Sequence, residues 1–211
     1  MKKITTFLCS ALIVGALFNA CKKDDTSTTN NNNNNNGGGT GNLSYIKVNN
    51  SWTYDIFAVG ASFTGKDTTF TNALTNKVAK DLGGNKFLIT TTQSIGIISL
   101  DTNYWMVDGN NLYSAVKLDL SDKELAYKAD AKVGDTFGPD SSFNEVVSLT
   151  ESVVVPAGTF TCMKIKNYNK TKNPTTDYDF SYISPQAGLI KTEAYTKGKL
   201  DNSLKMRSKS F

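Results

Sequence analysis

From Ser44 onward the chain is written in short runs of Thr, Val, Ile and aromatic residues, each cut off after four to twelve positions by Gly, Asn, Asp or Pro. Apolar and polar side chains alternate within these runs, the period that puts one strand face on a core and the other toward water. Strands are predicted over 52–59, 62–71, 76–81, 86–92, 95–100, 104–107, 112–118, 135–137, 144–155, 159–167, 177–183, 189–196 and 203–209. Three interruptions have the chemistry of tight turns. Leu82-Gly83-Gly84-Asn85 and Asp108-Gly109 supply the positive φ angles that tight hairpins need. Pro156-Ala157-Gly158 places Pro at the first central position of a type I turn with Gly after it, as in a three-residue hairpin loop. Ala73, Leu74, Val78 and Leu82 have helical spacing, but their Thr and Asn neighbours and the double glycine favour a hairpin. Ser121-Asp122-Lys123-Glu124 fits a helix capping box and predicts a short helix or a turn there. Long amphipathic helices are not predicted. The expected fold class is therefore mainly β, with at most one or two short helices.

The first 43 residues follow a different pattern. Lys2 and Lys3 precede a mostly apolar run over 7–18, and Ala20 is a small residue before Cys21. That run is shorter than the ~20 residues a membrane-spanning helix needs, and it reads as an export leader. A small residue followed by Cys and an abrupt change to Lys22-Lys23-Asp24-Asp25 resembles the lipobox of bacterial lipoproteins. The resemblance implies cleavage before Cys21 and acylation of that residue with several chains, palmitate-type, which together make a lasting membrane anchor. Lys23-Asp24-Asp25 resembles the surface-export signal of some lipoproteins of the Bacteroidetes group. An outer-membrane location is expected, with the periplasmic or cell-surface face undecided. Residues 26–43 hold a run of seven asparagines, Asn30 to Asn36, followed by Gly37-Gly38-Gly39, and read as a disordered tether with a reach of roughly 25 Å. The expected domains are 1–20, a signal peptide; 21–43, the acylated Cys and tether; and 44–211, a single β domain.

Composition narrows the chemistry. The net charge of +4 falls to +2 once Lys2 and Lys3 leave with the signal, and the charges are dispersed, which argues against a nucleic-acid partner. Cys9 leaves with the leader and Cys21 is acylated, so Cys162 has no cysteine to pair with. The chain contains no histidine. That removes Ser-His and Cys-His triads and histidine-ligated zinc, and disfavours catalysis without ruling out a carboxylate pair or a lysine. No cofactor or metal is expected.

The segment Val153-Val154-Val155-Pro156-Ala157-Gly158-Thr159-Phe160 resembles a hairpin shared by a family of uncharacterised bacterial exported proteins. Ser184-Pro185-Gln186-Ala187-Gly188-Leu189-Ile190-Lys191 and Lys47-Val48-Asn49-Asn50-Ser51-Trp52-Thr53-Tyr54 are similar to two further segments of that family, in the same order. The resemblance implies a strongly curved antiparallel sheet or incomplete barrel, as in lipoprotein carriers, and transfers no catalytic residue. Because Phe160 and Cys162 share one strand face while Met163 and Ile165 share the other, either both faces are covered or a bulge shifts the phase near Cys162.

The candidate ligand contacts are aromatic. Tyr178, Phe180 and Tyr182 alternate with Asp177, Asp179 and Ser181, giving either a stacking platform for sugars or an ordinary core face. Tyr104 and Trp105 lie beside the Asp108-Gly109 turn. Asp177-Tyr178-Asp179 and Asp119-Leu120-Ser121-Asp122 lack the density of oxygen ligands of a calcium loop. Glu145, Glu151 and Glu193 are the carboxylates a glycoside hydrolase would need in a converging pair. Lys205, Arg207 and Lys209 form a basic row, read first as protection of a sheet edge and second as a face toward anionic lipid or glycan. The leading expectation is a lipid-anchored, non-enzymatic β domain that binds a glycan or a protein at the outer membrane. A carrier or sensor of an apolar small molecule is the alternative, and a carboxylate-dependent hydrolase the third reading.

Overall fold

The structure is a computed structural model that describes residues 43–61, 64–95, 98–138, 142–169 and 172–211. The leader, Cys21 and the tether up to residue 42 lie outside the described residues, and Leu43, the last residue assigned to the tether, is buried in the core. Among the described residues, twelve strands form one antiparallel sheet in the order β6-β5-β4-β3-β2-β1-β12-β11-β10-β9-β8-β7. In the first half these are β1 (Ser51–Ala61), β2 (Lys66–Gly83), β3 (Lys86–Gln93), β4 (Ser99–Asp108), β5 (Asn111–Ala115) and β6 (Glu124–Tyr127). The second half holds β7 (Thr136–Phe137), β8 (Ser142–Val155), β9 (Gly158–Asn169), β10 (Tyr178–Ser184), β11 (Gly188–Thr196) and β12 (Lys199–Lys209). No described residue is helical. The sheet curls into a nearly closed barrel whose split lies between β6 and β7.

Curvature follows from the bulges. Register shifts interrupt pairing within β1–β2, β2–β3, β1–β12, β10–β11 and β8–β9, and each adds local bend and twist. The bend brings Trp52 on β1 to within 5.8 Å of Trp105 on β4, ring to ring, although two strands lie between them. The inner face is filled. Trp52, Tyr54, Val78, Ile89, Ile165, Ile190 and Met206 are all buried there, and the segment Leu43-Ser44-Tyr45-Ile46 adds three more buried side chains, including the Tyr45 ring, packed on Trp52.

The three segments that carry the family resemblance converge on the central strands. The Trp52 Nε1–H donates to the carbonyl of Ala187 at 2.8 Å, and the Tyr54 hydroxyl donates to that of Leu189 at 3.0 Å. Gly188, between them, has φ of +78°, and a Cβ there would lie 3.1 Å from the Tyr45 ring. Only glycine satisfies both the angle and the space. In the third segment Val155 pairs with Gly158 around Pro156-Ala157, and the Ala157 N–H donates to the Met206 carbonyl on β12 at 3.2 Å. Two register shifts between Val146 and Glu151 let the outer half of the β8–β9 hairpin fold back as an arm over β11 and β12, on the face opposite the core. Both alternatives for Cys162 hold together: β8 is bulged opposite it, and Cys162, Met163 and Ile165 are all buried.

Of the two alternatives at Ser121 the turn forms and not the helix, while two other expectations need correction. The Asp122 carboxylate accepts from the Val116 and Lys117 N–H groups and the Asp119 carboxylate from that of Ser121, which closes a turn and leaves Glu124 to begin β6. Residues 62–71 and 76–81 are not separate strands, because β2 runs unbroken from Lys66 to Gly83. The basic row on β12 does not guard an edge, since β12 pairs with β1 on one side and β11 on the other.

Candidate functional site

The face opposite the core, from β9 across to β2, holds the densest polar chemistry of the described residues. It follows from alternation. On β1 the core takes Tyr54 and Ile56, so Asp55 and Phe57 point the other way, and cross-strand pairing sets Lys205 and Ser203 beside them. Pairing then continues to Lys191 and Glu193 on β11, and to Tyr182 and Phe180 on β10. Lys164 and Lys166 on β9 complete the row.

Most charges here are already matched. The Arg207 Nε donates to Asp55 Oδ1 at 2.6 Å, and the Asn72 N–H donates to the same oxygen at 3.0 Å. Burial is the largest single influence on the Asp55 carboxyl and raises its pKa. The bonds from Arg207 and Asn72, with the charges of Arg207 and Lys205, outweigh it and hold the group ionised. Lys191 is ion-paired with Glu193 Oε1, while Glu193 Oε2 accepts from the Tyr182 hydroxyl at 2.9 Å. Lys164 lies 3.8 Å from Glu151 on the arm and 4.3 Å above the Phe180 ring. The Cys162 thiol, on the arm opposite Glu151, is pushed up to about 12, first by burial and then by Glu151.

Beyond the tip of the arm lies a cleft of about 490 Å3, inside the ~300–1,000 Å3 range of small-molecule sites. Phe57, Leu200 and the Val154-Val155-Pro156 turn form its apolar walls. Asp55, Glu193, Ser203, Thr69 and Lys205 supply its polar lining. Next to it, Tyr178 and Tyr195 stack at 4.9 Å with Phe180 edge-on at 5.3 Å, and the Lys166 ammonium stands 4.7 Å above the Tyr178 ring. This band and the cleft meet at Glu193.

The sequence-derived candidates separate in the structure. Tyr178 and Tyr182 stand on β10 in the aromatic band, Tyr178 half-buried and Tyr182 buried with its hydroxyl on Glu193. Tyr104 and Trp105 are adjacent on β4, with five strands between it and β10, and face opposite ways; the Trp105 ring packs on the core beside Trp52. Glu145 and Glu151 lie on β8, and only Glu193 of the three glutamates lines the cleft. Asp177 accepts from Thr176 Oγ1 and the Lys197 N–H, which holds the β11–β12 turn against the start of β10. Asp179 is pushed up to about 6, mainly by burial. Sequence reasoning missed Asp55, Phe57 and Ser203. One signal was available: Asp55 interrupts the run Trp52-Thr53-Tyr54-Asp55-Ile56-Phe57, where a charge inside an apolar strand calls for a partner.

Residues 140–206, which span β8 to most of β12, match the DUF3108-like family. No curated protein matches the chain. Among solved structures, the fold is similar to that of a Bacteroides fragilis NCTC 9343 protein described as exported with a YmcC-like fold. The TM-score is 0.55 at 15% identity, over 78% of this chain and 97% of the other. It is also similar to a protein of Parabacteroides distasonis ATCC 8503 described as a lipoprotein, with a TM-score of 0.53 at 17% identity, over 78% of this chain and 96% of that one.

Proposed function

We propose that this chain is an envelope lipoprotein, anchored through Cys21, whose β domain binds a glycan without transforming it. The observation that carries this reading is the cleft at the arm tip, where an apolar wall of Phe57, Leu200 and Pro156 faces hydroxyl and carboxylate acceptors held in place by their own cations. Sugars present that combination, with C–H faces that lie on apolar or aromatic surfaces and hydroxyls that need fixed hydrogen-bond partners. The Tyr178–Tyr195 stack next to the cleft offers a second surface for a longer chain. The descriptions of the two similar structures as exported and as a lipoprotein support an envelope setting.

The same geometry weighs against the other readings. An apolar carrier needs a hollow interior, and here the inner face is occupied by Trp52, Tyr45, Tyr54, Ile190 and Met206. A hydrolase needs two converging carboxyls. Asp55 and Glu193 lie on either side of β12 and two residues apart in register, about 12 Å between Cα atoms at ordinary strand spacing, and each is neutralised by its own cation.

The test is isothermal calorimetry of the full chain in neutral detergent against a panel of neutral and acidic polysaccharides and oligosaccharides. Binding by at least one, weakened about tenfold by Phe57→Ala, supports the proposal. Heat from none of the panel, or binding indifferent to Phe57→Ala, overturns it.

A further inference from the structure

The charge around the cleft does not balance, and the imbalance points to the class of ligand. Asp55 is matched by Arg207 at 2.6 Å, and Glu193 is matched by Lys191 and also accepts from Tyr182. Both carboxylates are therefore committed before any ligand arrives. Lys205 lines the same cleft and is exposed, yet no carboxylate lies within ion-pair distance of it among the described residues. Its backbone position is fixed on both sides, opposite Asp55 on β1 and opposite Lys191 on β11. The side chain beside it on β11 is thus another cation, and that cation is taken by Glu193. One positive charge is left over, at the mouth of a cleft whose other charges are paired.

Resting on the glycan-binding reading above, we infer that the cleft takes a sugar acid, with a uronate-type carboxylate seated on the Lys205 ammonium. A single excess positive charge matches a carboxylate, which carries one negative charge. A phosphate monoester, with nearly two, would leave one unmatched beside Asp55 and Glu193. Phe57 and Pro156 form the apolar wall, and the ligand's carboxylate lies toward β12. An ammonium–carboxylate contact at the rim of a partly desolvated cleft strengthens binding about tenfold over the uncharged counterpart.

The experiment compares matched pairs. Oligogalacturonate and oligoglucuronate are each titrated into the full chain in neutral detergent alongside their own methyl esters, which keep every ring and hydroxyl and lose only the charge. The expected result is a preference of about tenfold for at least one acid over its ester. Lys205→Gln brings that ratio close to one, Lys205→Arg keeps most of it, and Lys209→Gln, which removes the same charge outside the cleft, leaves it in place. Equal affinity for acid and ester, or a preference that survives in Lys205→Gln, overturns the inference and leaves glycan binding intact. No binding by any acid also overturns it. Glycan binding then stands or falls by whether the neutral members of the wider panel bind. Melting curves of the three variants confirm that each is folded.

Discussion

The hydrogen bond from Trp52 to the Ala187 carbonyl makes a quantitative claim about what holds the turn before β11 against β1. Trp52→Phe keeps an aromatic ring in the core and removes the indole N–H. The bond is buried and 2.8 Å long, and it joins residues 135 positions apart. A carbonyl left dry and unpaired costs about 1–3 kcal/mol. The smaller ring also gives up contacts with Tyr45 at 5.7 Å, Trp105 at 5.8 Å and Phe211 at 5.6 Å between centroids, roughly 1 kcal/mol more. The expected loss is about 3 kcal/mol, which in a domain of this size lowers Tm by roughly 6–12 °C. Tyr54→Phe is the comparison. It removes only the hydroxyl that donates to the Leu189 carbonyl and is expected to cost about 1–2 kcal/mol. Urea unfolding followed by far-UV circular dichroism, with Trp105 fluorescence as a second probe, gives both values, and an unchanged m-value shows that the same surface unfolds. Because both bonds hold one turn, the double variant is expected to lose less than the sum of the singles. A Trp52→Phe protein within 1 kcal/mol of wild type, or one more stable than Tyr54→Phe, would refute the reasoning.

Three further outcomes follow from the packing and the titrating groups. Gly188→Ala is expected to cost at least ~2 kcal/mol, combining a left-handed backbone with displacement of the Tyr45 ring, and a chemical melt within 0.5 kcal/mol of wild type would contradict it. Asp179 is raised to about 6, so between its unfolded value near 4 and pH 6 the native state holds a proton that the unfolded chain has lost, and stability falls as pH rises through that window. Asp179→Asn should therefore stabilise the fold at pH 8 but not at pH 4, by at most about 3 kcal/mol in urea unfolding; equal effects at both pH values would count against this account. The Cys162 thiol is fully buried and pushed up to about 12, so in native buffer at pH 8 it should react with a thiol reagent only as fast as the protein unfolds, whereas rapid labelling without denaturant would mean that the arm is open.

The parts of this fold that were legible in the sequence are those whose cause is local. The Gly84-Asn85 turn, with φ of +59° at both residues, is determined by residues within the turn itself, as is the alternation in β10 and β11. The turn expected at Asp108-Gly109 forms one residue later, at Gly109-Asn110, because Asp108 pairs with Asn111. Where distant residues decide the outcome, the local signal misled. Asn72 reads as the end of a strand, and its φ is indeed +52°, but its N–H is capped by the Asp55 carboxylate 17 residues earlier, and β2 continues through it. The capping box at Ser121 is real in spacing, yet Asp122 is spent on the backbone of Val116 and Lys117. The cleft was hidden for the same reason. Its lining comes from β1, β2, β8, β11 and β12, and the partner of Asp55 is Arg207, 152 residues away. Tyr178 and Tyr182 fall in one aromatic band, as their alternation suggests, because a single strand displays them together. Trp105 was placed beside a loop by its sequence neighbours, and the curl of the sheet turned it onto Trp52.

The pairing of β1 with β12 has a consequence for how the chain is made. Among the described strands β1 is the first to leave the ribosome, and its second partner, β12, follows all the others. Until Lys199–Lys209 has emerged, one edge of β1 stays open, carrying Trp52, Tyr54 and Ile56 on the face that will become the core. Such long-range closure predicts slow folding and an exposed edge during synthesis and export. The strand order is that of a simple meander cut at the β6–β7 split and rejoined between β1 and β12. A circular permutant that links the two ends and starts at the split, near Ala131, would make every neighbour in the sheet a neighbour in sequence. It should reach the same barrel sooner, and expose less of itself on the way.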